Sequence, residues 1–513
     1  MAKNIMVQGT ASSAGKSVMV AGICRLLQRR GINAAPFKAQ NMALNSYVTS
    51  DGKEMGRAQV FQAEAAGLEP RVNMNPVLLK PSGDKGSQII INGEPEKHMK
   101  AGEYYEYKPR LQGIVKEAYE ELAAEHDVIV LEGAGSPAEI NLQENDIVNM
   151  GMAEMVSAPV ILVGDIERGG VFASLYGTVK LLPEADKKRV KALIINKFRG
   201  DKELLKPGLE EIEEKLGIPF LGVLPYIDLA LDDEDSLSER LQNKAESGSD
   251  SDTLKINVVL LPHISNFTDF NPLEMYEEVE VNYIKSPEKV EKADVLIIPG
   301  SKNTLEDRIW LRQAGFDRAI KKFADSGRLL IGVCGGFQML GKELSDPEGS
   351  ESNMRNIPGL DLLPIKTVMS AEKKTVQTTG NWQFEDEGYF ASMQDLSLSG
   401  YEIHMGRTKL LETNLNQPLI SHEGKLSQNT EQNITSLINP SGNILGTYWH
   451  GIFENKKWTT RLINNLRDKL NFDSIESPDM SYQQLKNREY DRLADMLENE
   501  LDLDELWEII GLK

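Results

Sequence analysis

Short apolar runs that end in a glycine or a polar residue recur through the first half of the chain and constrain its fold most strongly. Each run is nearly continuous in Val, Ile and Leu, which is typical of strands buried on both faces of a parallel sheet. Amphipathic helical segments separate the runs, such as the one from Arg110 to His126. The alternation predicts an α/β fold with a doubly wound parallel sheet, which binds ligands at the carboxyl ends of its strands. The runs are NIMVQG, DVIVLEG, PVILVGD, ALIINKF and FLGVLP.

A second series of apolar runs follows an acidic segment that is rich in Ser and Gly. We interpret this segment, residues 232–253, as a linker, because it has too little apolar content to form a core. The runs after it predict a second doubly wound α/β domain; they are KINVVLLP, DVLIIPG, RLLIGVCG and NILGTYWHG. The predicted organisation is therefore one domain at 1–231, the linker, a second domain at 254–456, and an acidic helical tail at 457–513. The tail is expected to pack on its own domain or on a partner.

Composition narrows the possible classes of function. A chain of 513 residues predicts two or three domains. The net charge of −21 argues against non-specific binding to nucleic acid. The only cysteines are Cys24 and Cys334, which fits a reducing cytoplasm better than a disulfide scaffold. No apolar run approaches the ~20 residues of a membrane helix. We therefore expect a cytoplasmic protein without a membrane or targeting segment, and a homo-oligomer is possible.

The segment from Ile5 to Gly22 reads as a strand, a glycine-bounded loop and a helix. The loop, GTASSAGKS, begins at Gly9 and Thr10 and ends at Gly15, Lys16 and Ser17. Such a loop surrounds phosphates with backbone N–H groups, while its lysine reaches the terminal phosphates and its hydroxyl binds Mg²⁺. The loop is one residue longer than the usual pattern, and the alternative is a plain turn. We predict a site for ATP.

Five further residues near predicted strand ends are candidates for this site. Glu132 ends the strand DVIVLE, where a carboxylate could hold Mg²⁺ or merely cap the next turn. Lys38 follows a short strand, where a second cation could meet the transferring phosphoryl oxygens; the alternative is a surface lysine. Asn196 could contact the adenine. Asp165 and Arg168 end another strand, with metal, substrate and ion-pair roles all open.

The segment RLLIGVCGGFQMLG places Cys334 on a sharp turn between a buried strand and a helix. Such a turn exposes the sulfur, and the helix end favours the thiolate over the thiol. The N–H of Gly335 and the backbone of Gly300 and Ser301, in PGSKNT, are candidate oxyanion donors. The alternative is an inert buried thiol, but the flanking glycines favour a nucleophile.

A thiolate of this kind needs a general base, and His450 at the end of ILGTYWHG is the best candidate among six histidines. His404 is a rival base or a residue of the site wall. A Cys–His pair can attack a carboxamide, form a thioester and release ammonia. The two motifs together predict an enzyme that couples ATP use to nitrogen transfer from an amide.

With both ends interpreted, the chain resembles known enzymes. Its second half resembles a class I glutamine amidotransferase domain, which is flavodoxin-like, and its first loop resembles the P-loop of dethiobiotin synthetase. Over about residues 3–455 the chain resembles the cobalamin-pathway amide synthase family, on its cobyric acid branch. The matching blocks are PFKAQNMALNS, DGKEMGRAQ, MNPVLLKP, EGAGSPAEINL, VGDIERGGVFA, INKFRGD, HISNFTDF, PGSKNT and CGGFQMLG.

The resemblance implies a glutamine-hydrolysing, ATP-dependent carbon–nitrogen ligase. Its substrates would be glutamine and a corrinoid polycarboxylate, adenosylcobyrinic acid a,c-diamide, whose b, d, e and g carboxylates it would amidate through acyl phosphates to give adenosylcobyric acid. The implied roles are Cys334 as nucleophile, His450 as base, Lys16 and Ser17 as P-loop lysine and metal-binding hydroxyl, Glu132 as metal carboxylate and Lys38 as active-site lysine.

Several alternatives stay open. The a,c-diamide synthase of the same pathway shares both domains, and a related ligase could act on another acid. A P-loop switch ATPase with an inactive amidotransferase-like binding module is the non-enzymatic alternative. The third member of the glutaminase site is also open. Many amidotransferases place a glutamate two residues after the histidine, where this chain has Ile452. Glu454, Glu402 or a backbone carbonyl would then take its place.

Overall fold

The computed structural model describes residues 2–81, 86–229, 252–352, 354–412, 416–421 and 434–513. The predicted linker lies outside these ranges except for its last two residues. In the first half, the elements are β1 (Lys3–Gly9), α1 (Lys16–Arg29), β2 (Ala34–Phe37), β3 (Gln40–Met42), β4 (Ser46–Val48), β5 (Glu54–Gly56), α2 (Arg57–Ala65), β6 (Val77–Pro81), β7 (Ser87–Ile91), β8 (Glu94–Met99), α3 (Ala101–Glu125), β9 (Val128–Glu132), α4 (Met150–Met155), β10 (Val160–Asp165), α5 (Val171–Leu181), α6 (Glu184–Lys187), β11 (Val190–Phe198), α7 (Lys206–Leu216) and β12 (Phe220–Pro225).

The second half follows the same alternation and adds long antiparallel strands and a helical tail. Its elements are β13 (Leu254–Val259), β14 (Ile264–Ser265), the 3-10 helix Phe267–Met275, β15 (Val279–Ile284), β16 (Val295–Ile298), β17 (Gly300–Ser301), α8 (Thr304–Gln313), α9 (Phe316–Asp325), β18 (Leu329–Val333), α10 (Gly335–Met339), β19 (Glu343–Ser345), β20 (Asn356–Pro358), β21 (Ile365–Trp382), β22 (Ser397–Leu410), β23 (Leu419–Ser421), β24 (Ser436–Ile438), β25 (Ile444–Thr447), α11 (Lys456–Lys469), α12 (Tyr482–Glu500) and α13 (Leu503–Ile510).

The first sheet is parallel and has the strand order β12-β11-β10-β1-β9-β2. Successive residues of its strands alternate between two buried cores, one on each face. This two-sided burial is why the strands read as continuous apolar runs. The register aligns Val7 with Glu132 and Asp165 with Asn196, so the carboxyl ends of neighbouring strands meet at one edge.

The second sheet has the order β15-β13-β16-β18-β25-β24, and it is parallel except for the pairing of β24 with β25. Its central strand β18 leads into Cys334, and β25 ends three residues before His450. The long antiparallel pair β21–β22 lies outside this sheet. The prediction of two α/β domains with parallel sheets is confirmed.

One part of the carboxyl-terminal segment packs on the second domain, and another part packs on the first. Trp458 and Ile463 of α11 join the core of the second domain. Leu497 of α12 joins the core of the first domain, where it packs against Gly22 of α1. The tail therefore returns across the molecule to the helix that follows the phosphate loop. Among the helices that the structure describes, none has the length and apolar character needed to cross a membrane.

Candidate active sites

The phosphate loop connects β1 to α1 and is held in a left-handed turn at its end. Gly15 has φ of 92°, a conformation that side chains rarely adopt. A Cβ atom there would lie 2.1 Å from Nδ2 of Asn196, so the close approach also requires glycine. Nζ of Lys16 folds over the loop and donates to the carbonyl oxygens of Ala11, at 2.9 Å, and Gly135, at 3.1 Å. The lysine therefore spans the space that phosphates occupy in such loops.

Glu132 is the centre of a buried polar cluster beside this loop. Its Oε1 accepts hydrogen bonds from Oγ of Ser17 and from Nζ of Lys38, both at 2.8 Å. Its Oε2 accepts one from Nε2 of Gln62 at 2.5 Å. The structure thus brings together three predicted residues from β9, α1 and the loop after β2. Gln62, on α2, was not among them.

The charge of Glu132 is maintained by its neighbours. Burial disfavours the carboxylate, but the positive charge of Lys38, hydrogen bonds from Lys38 and Gln62, and the charge of Lys16 together hold the pKa of Glu132 below its usual value. A buried carboxylate that stays ionised next to a P-loop hydroxyl is the donor set that Mg²⁺ prefers. Ser17 and Glu132 therefore fit Mg²⁺.

No group of three or more His, Cys, Asp or Glu side chains in the described ranges could hold a metal ion by itself. This agrees with the usual Mg²⁺ site of nucleotide enzymes, which combines one or two carboxylates with phosphate oxygens and water.

The remaining candidates of the first domain surround the same edge of the sheet. Nδ2 of Asn196 donates to the carbonyl oxygen of Ala14 at 3.0 Å, so this amide supports the phosphate loop. Asp165 lies 3.4 Å from Lys197, its nearest cation, and 3.9 Å from Arg168. Of the open roles for Asp165, the structure shows the ion pair.

Cys334 occupies a strained turn between β18 and α10. Its φ of 51° and ψ of −108° are unusual for a residue with a side chain. Its N–H donates to the carbonyl oxygen of Thr447 on β25 at 2.8 Å, which ties the turn to the neighbouring strand. Its Sγ lies 3.6 Å from the carbonyl oxygen of Ile403. Strain of this kind is typical of nucleophile elbows.

His450 is buried and has a carboxylate partner. Its Nδ1 lies 2.6 Å from Oδ2 of Asp269, and the other carboxylate oxygen accepts the N–H of Gly451 at 3.2 Å. Burial disfavours the imidazolium, but the negative charges of Asp269 and of a Cys334 thiolate, with the hydrogen bond to Asp269, raise the pKa of His450 to about 10. The carboxylate of Asp269 therefore favours the imidazolium form of His450.

Asp269 fills the third position of this site, and the sequence reasoning missed it. It lies in the 3-10 helix after β14, within the block HISNFTDF, but no spacing rule links it to a histidine 181 positions away. Of the two glutamates proposed instead, Glu402 binds His404 and Lys374, and Glu454 lies 3.8 Å from Arg57. The structure shows neither of them bonded to His450.

The predicted oxyanion donors lie around the thiol. Gly300 and Ser301 form β17, which pairs with β14. A Cβ atom on Gly335 would lie 2.9 Å from the backbone nitrogen of Ser301, so the two segments are in close contact. A Cβ atom on Gly300 would lie 3.4 Å from Cε1 of His450. All three candidates therefore flank the Cys334–His450 pair.

His404 borders the same cavity as Cys334 and His450. Its ring stacks on Tyr448 with centroids 3.7 Å apart, and its Nε2 lies 3.0 Å from Glu402. Burial, partly offset by Glu402, lowers the pKa of His404. Both ring nitrogens already lie beside oxygen atoms, of Gly406 and Glu402, so the stacked ring fits a wall residue better than a base.

Comparison with protein families supports both halves of this description. Residues 5–237 match the CobQ/CobB/MinD/ParA nucleotide binding domain. Residues 255–458 match the CobB/CobQ-like glutamine amidotransferase domain. The chain therefore joins a nucleotide-binding domain to a glutamine amidotransferase domain.

Relatives of full length share nearly half of their residues with this chain. Cobyric acid synthase of Caldanaerobacter subterraneus subsp. tengcongensis is 46% identical over 99% of both chains. Cobyric acid synthase of Clostridium botulinum (strain Loch Maree / Type A3) is 48% identical over 100% of both chains.

Solved structures give weaker likenesses. The structure of PurLQS from Thermotoga maritima has a TM-score of 0.32 and 16% identity, covering 42% of this chain and 99% of that one. The signal recognition particle receptor FtsY from Elizabethkingia anophelis, in complex with GDP, has a TM-score of 0.27 and 14% identity, covering 44% and 58%.

Proposed function

Because the chain belongs to the cobyric acid synthase family, we propose that it amidates the b, d, e and g carboxylates of adenosylcobyrinic acid a,c-diamide, to give adenosylcobyric acid. The chain is a glutamine-dependent amidotransferase of the cobalamin pathway that uses ATP. The proposal concerns the particular carboxylates, the acyl phosphate route and the residues that carry each step.

The first half-reaction activates a substrate carboxylate. A carboxylate oxygen attacks the γ-phosphorus of ATP, the bond to the β-phosphate oxygen breaks, and ADP leaves with the electron pair. Lys16 would hold the terminal phosphates, and Lys38 would stabilise the charge on the transferring group. Mg²⁺, held by Ser17 and Glu132, would neutralise phosphate charge. The product is an acyl phosphate, a far better electrophile than the carboxylate.

The second half-reaction releases ammonia from glutamine. The Cys334 thiolate attacks the carboxamide carbon, and the oxyanion is met by backbone N–H groups of Ser301 and Gly335. His450 gives its proton to the departing nitrogen, which leaves as ammonia. It then takes a proton from the water that cleaves the thioester and releases glutamate. Asp269 holds the imidazole ring and stabilises its charged form.

Ammonia then completes the amide in the first domain. Its nitrogen attacks the acyl carbon, the carbon–oxygen bond to phosphate breaks, and the nitrogen loses a proton. The observation that carries the proposal is the buried Cys334–His450–Asp269 arrangement. It would supply the sulfur nucleophile and the proton donor that release of ammonia from an amide requires.

Two variants separate the half-reactions. The substrate would be adenosylcobyrinic acid a,c-diamide with ATP, and mass spectrometry would follow stepwise amidation. Cys334→Ser should lose amidation with glutamine but keep it with added ammonia. Glu132→Gln should lose both by about 10²-fold or more, because the cation site and its charge are disrupted.

The outcomes discriminate between the open hypotheses. Failure of ammonia to rescue Cys334→Ser would contradict independent half-reactions. The absence of any mass change with wild-type protein would contradict the assigned substrate. Full glutamine-dependent activity of Cys334→Ser would make the second domain a binding module, as in the switch ATPase alternative.

A further inference from the structure

Three lysines line the same cavity as Cys334 and His450, and none of them has a part in the steps above. Lys302 and Lys373 belong to the amidotransferase domain, whereas Lys80 comes from the nucleotide-binding domain. The thiol cavity is therefore walled partly by the other domain. A cluster of cations beside a nucleophile calls for an explanation, since burying like charges together is costly.

Groups of the nucleotide-binding domain hold these lysines in place. Glu54, whose side chain is completely buried, lies 2.8 Å from Nζ of Lys80 and also pairs with Nζ of Lys373 across the domain boundary. Nζ of Lys302 donates to Oε1 of Gln88, another residue of the first domain, at 2.7 Å. Both amidotransferase lysines thus have contacts in the first domain.

The cluster has more positive than negative charge. Among the described residues that line the cavity, Glu351 is the only one with a carboxylate, and Glu54 pairs with Lys80 and Lys373. Burial lowers the pKa of Lys373 to about 8, although Glu54 opposes the shift. Burial and the charges of Lys373 and Lys80 also lower the pKa of Lys302. A bound anion would relieve this mutual repulsion.

Glu351 lies on the same cavity wall, where burial raises its pKa to about 7, although the charge of Lys302 and the hydrogen bond from Thr304 oppose the shift. A bound ammonium group would favour the carboxylate form. Oε2 of Glu351 accepts the N–H of Thr304 at 3.0 Å, which fixes the carboxylate beside the first turn of α8. The cavity therefore has a thiol, a set of lysines and a carboxylate. These match the three polar parts of glutamine: its carboxamide, its α-carboxylate and its α-ammonium group.

We propose that Lys80, Lys302 and Lys373 bind the α-carboxylate of glutamine, so that the nucleotide-binding domain completes the glutamine pocket. Glu351 binds the α-ammonium group. In glutamine, only a short aliphatic chain separates the carboxamide from the α-carboxylate and the α-ammonium group. Glu54 is a positioning residue that holds the lysines. The inference rests on the proposed function, since it assumes that Cys334 attacks glutamine.

The test compares glutamine with 4-aminobutanamide, which is glutamine without its α-carboxylate. Hydrolysis of each amide would be measured for wild-type protein and for Lys80→Met. Because Lys80→Met removes one charged contact with the α-carboxylate, kcat/KM for glutamine should fall about 10- to 100-fold. Hydrolysis of 4-aminobutanamide should stay within about twofold of the wild-type rate. The wild-type preference for glutamine should therefore shrink. If 4-aminobutanamide is hydrolysed too slowly, competitive inhibition by glutamate and by 4-aminobutanoate gives the same comparison.

Lys486→Met is the matched control. Lys486 is another buried lysine in an ion pair between distant segments, 2.7 Å from Glu64, but it does not line the thiol cavity. Its substitution should leave the preference for glutamine unchanged. Lys373 belongs to the amidotransferase domain, and Lys373→Met should reduce the preference for glutamine in the same way as Lys80→Met.

If Lys80→Met and Lys373→Met lose activity equally on glutamine and on 4-aminobutanamide, the lysines have a structural role and the inference is wrong. If neither variant loses activity on glutamine, the inference is also wrong. These outcomes are independent of the ammonia rescue of Cys334→Ser. The proposed function can therefore stand while this inference fails.

Discussion

The proton on His450 depends on one carboxylate. Asp269 lies 2.6 Å from Nδ1 and is the largest source of the negative potential that raises the pKa of the imidazole to about 10. In the proposed mechanism this proton goes to the departing ammonia. Removing the charge of Asp269 should therefore change the pH range of glutamine hydrolysis as well as its rate.

Asp269→Asn should move the alkaline limb of the kcat/KM profile for glutamine to lower pH. In the wild type the pKa of His450 is raised, so the imidazolium persists until the pH approaches about 10. Without the Asp269 charge this pKa falls, and the imidazolium is lost at a lower pH. The rate at neutral pH should also fall by about 10²- to 10⁴-fold.

A pH series of glutaminase assays measures this shift. Asp386→Asn is the control, because Asp386 accepts backbone N–H groups of Gly388 and Phe390 and does not line the thiol cavity. Its profile should match the wild type. An Asp269→Asn profile that also matches the wild type would contradict the assigned role.

Some residues of the two sites can be identified from the sequence alone, and others cannot. Cys334 and Gly15 are defined by local sequence, because a strand, a glycine turn and a helix lie within a few residues of each. Asp269 and Gln62 are defined by tertiary contacts instead. Their partners lie 181 and 70 positions away, and no periodicity spans such distances.

Helix α2 has polar contacts in three different parts of the molecule. Gln62 on this helix donates to Glu132, Arg57 lies 3.8 Å from Glu454, and Glu64 pairs with Lys486 of α12. The strand just before it, β5, has Glu54 at its start. One short segment of the first domain therefore contacts Glu132, the amidotransferase domain and the tail.

The parallel strands were the elements that the sequence predicted best. Runs such as DVIVLEG became β9, since burial on both faces leaves a continuous apolar signal. The antiparallel pair β21–β22 is half exposed and carries polar residues along its length, so its sequence has no such signal. The tail was predicted to be helical, but its packing partner depends on the tertiary fold.

Helix α12 should stabilise the nucleotide-binding domain. Leu497 is fully buried against α1, the helix that begins with Lys16 and Ser17. Leu497→Ala should lower the free energy of unfolding by about 2–5 kcal/mol, because it removes buried methyl groups and leaves a cavity.

Calorimetry with and without ATP identifies the unfolding transition of the nucleotide-binding domain, since ligand binding raises the unfolding temperature of the domain that binds it. Leu204→Ala is the matched control. Leu204 is 80% exposed, so the same substitution should change stability by less than about 0.5 kcal/mol. Equal stability of the Leu497→Ala variant and the wild type would show that α12 does not support this domain.

At the scale of the whole molecule, the two domains meet through buried polar groups. Nδ2 of Asn266, a residue of the thiol cavity, donates to the carbonyl oxygen of Ser46 at 3.0 Å. Lys373 and Glu54 form an ion pair across the same boundary. The sequence predicted both domains but not these contacts, because the docking of two domains leaves no local pattern.

The central claim is that nitrogen released at Cys334 is the nitrogen incorporated at the Glu132 site. Wild-type protein would be given adenosylcobyrinic acid a,c-diamide, ATP and glutamine labelled with ¹⁵N in its carboxamide, with unlabelled ammonium in the medium. Mass spectrometry of the product then reports the source of each new amide. The new amides should carry ¹⁵N in wild-type protein and only unlabelled nitrogen in Cys334→Ser. Unlabelled amides from the wild-type protein would contradict the claim.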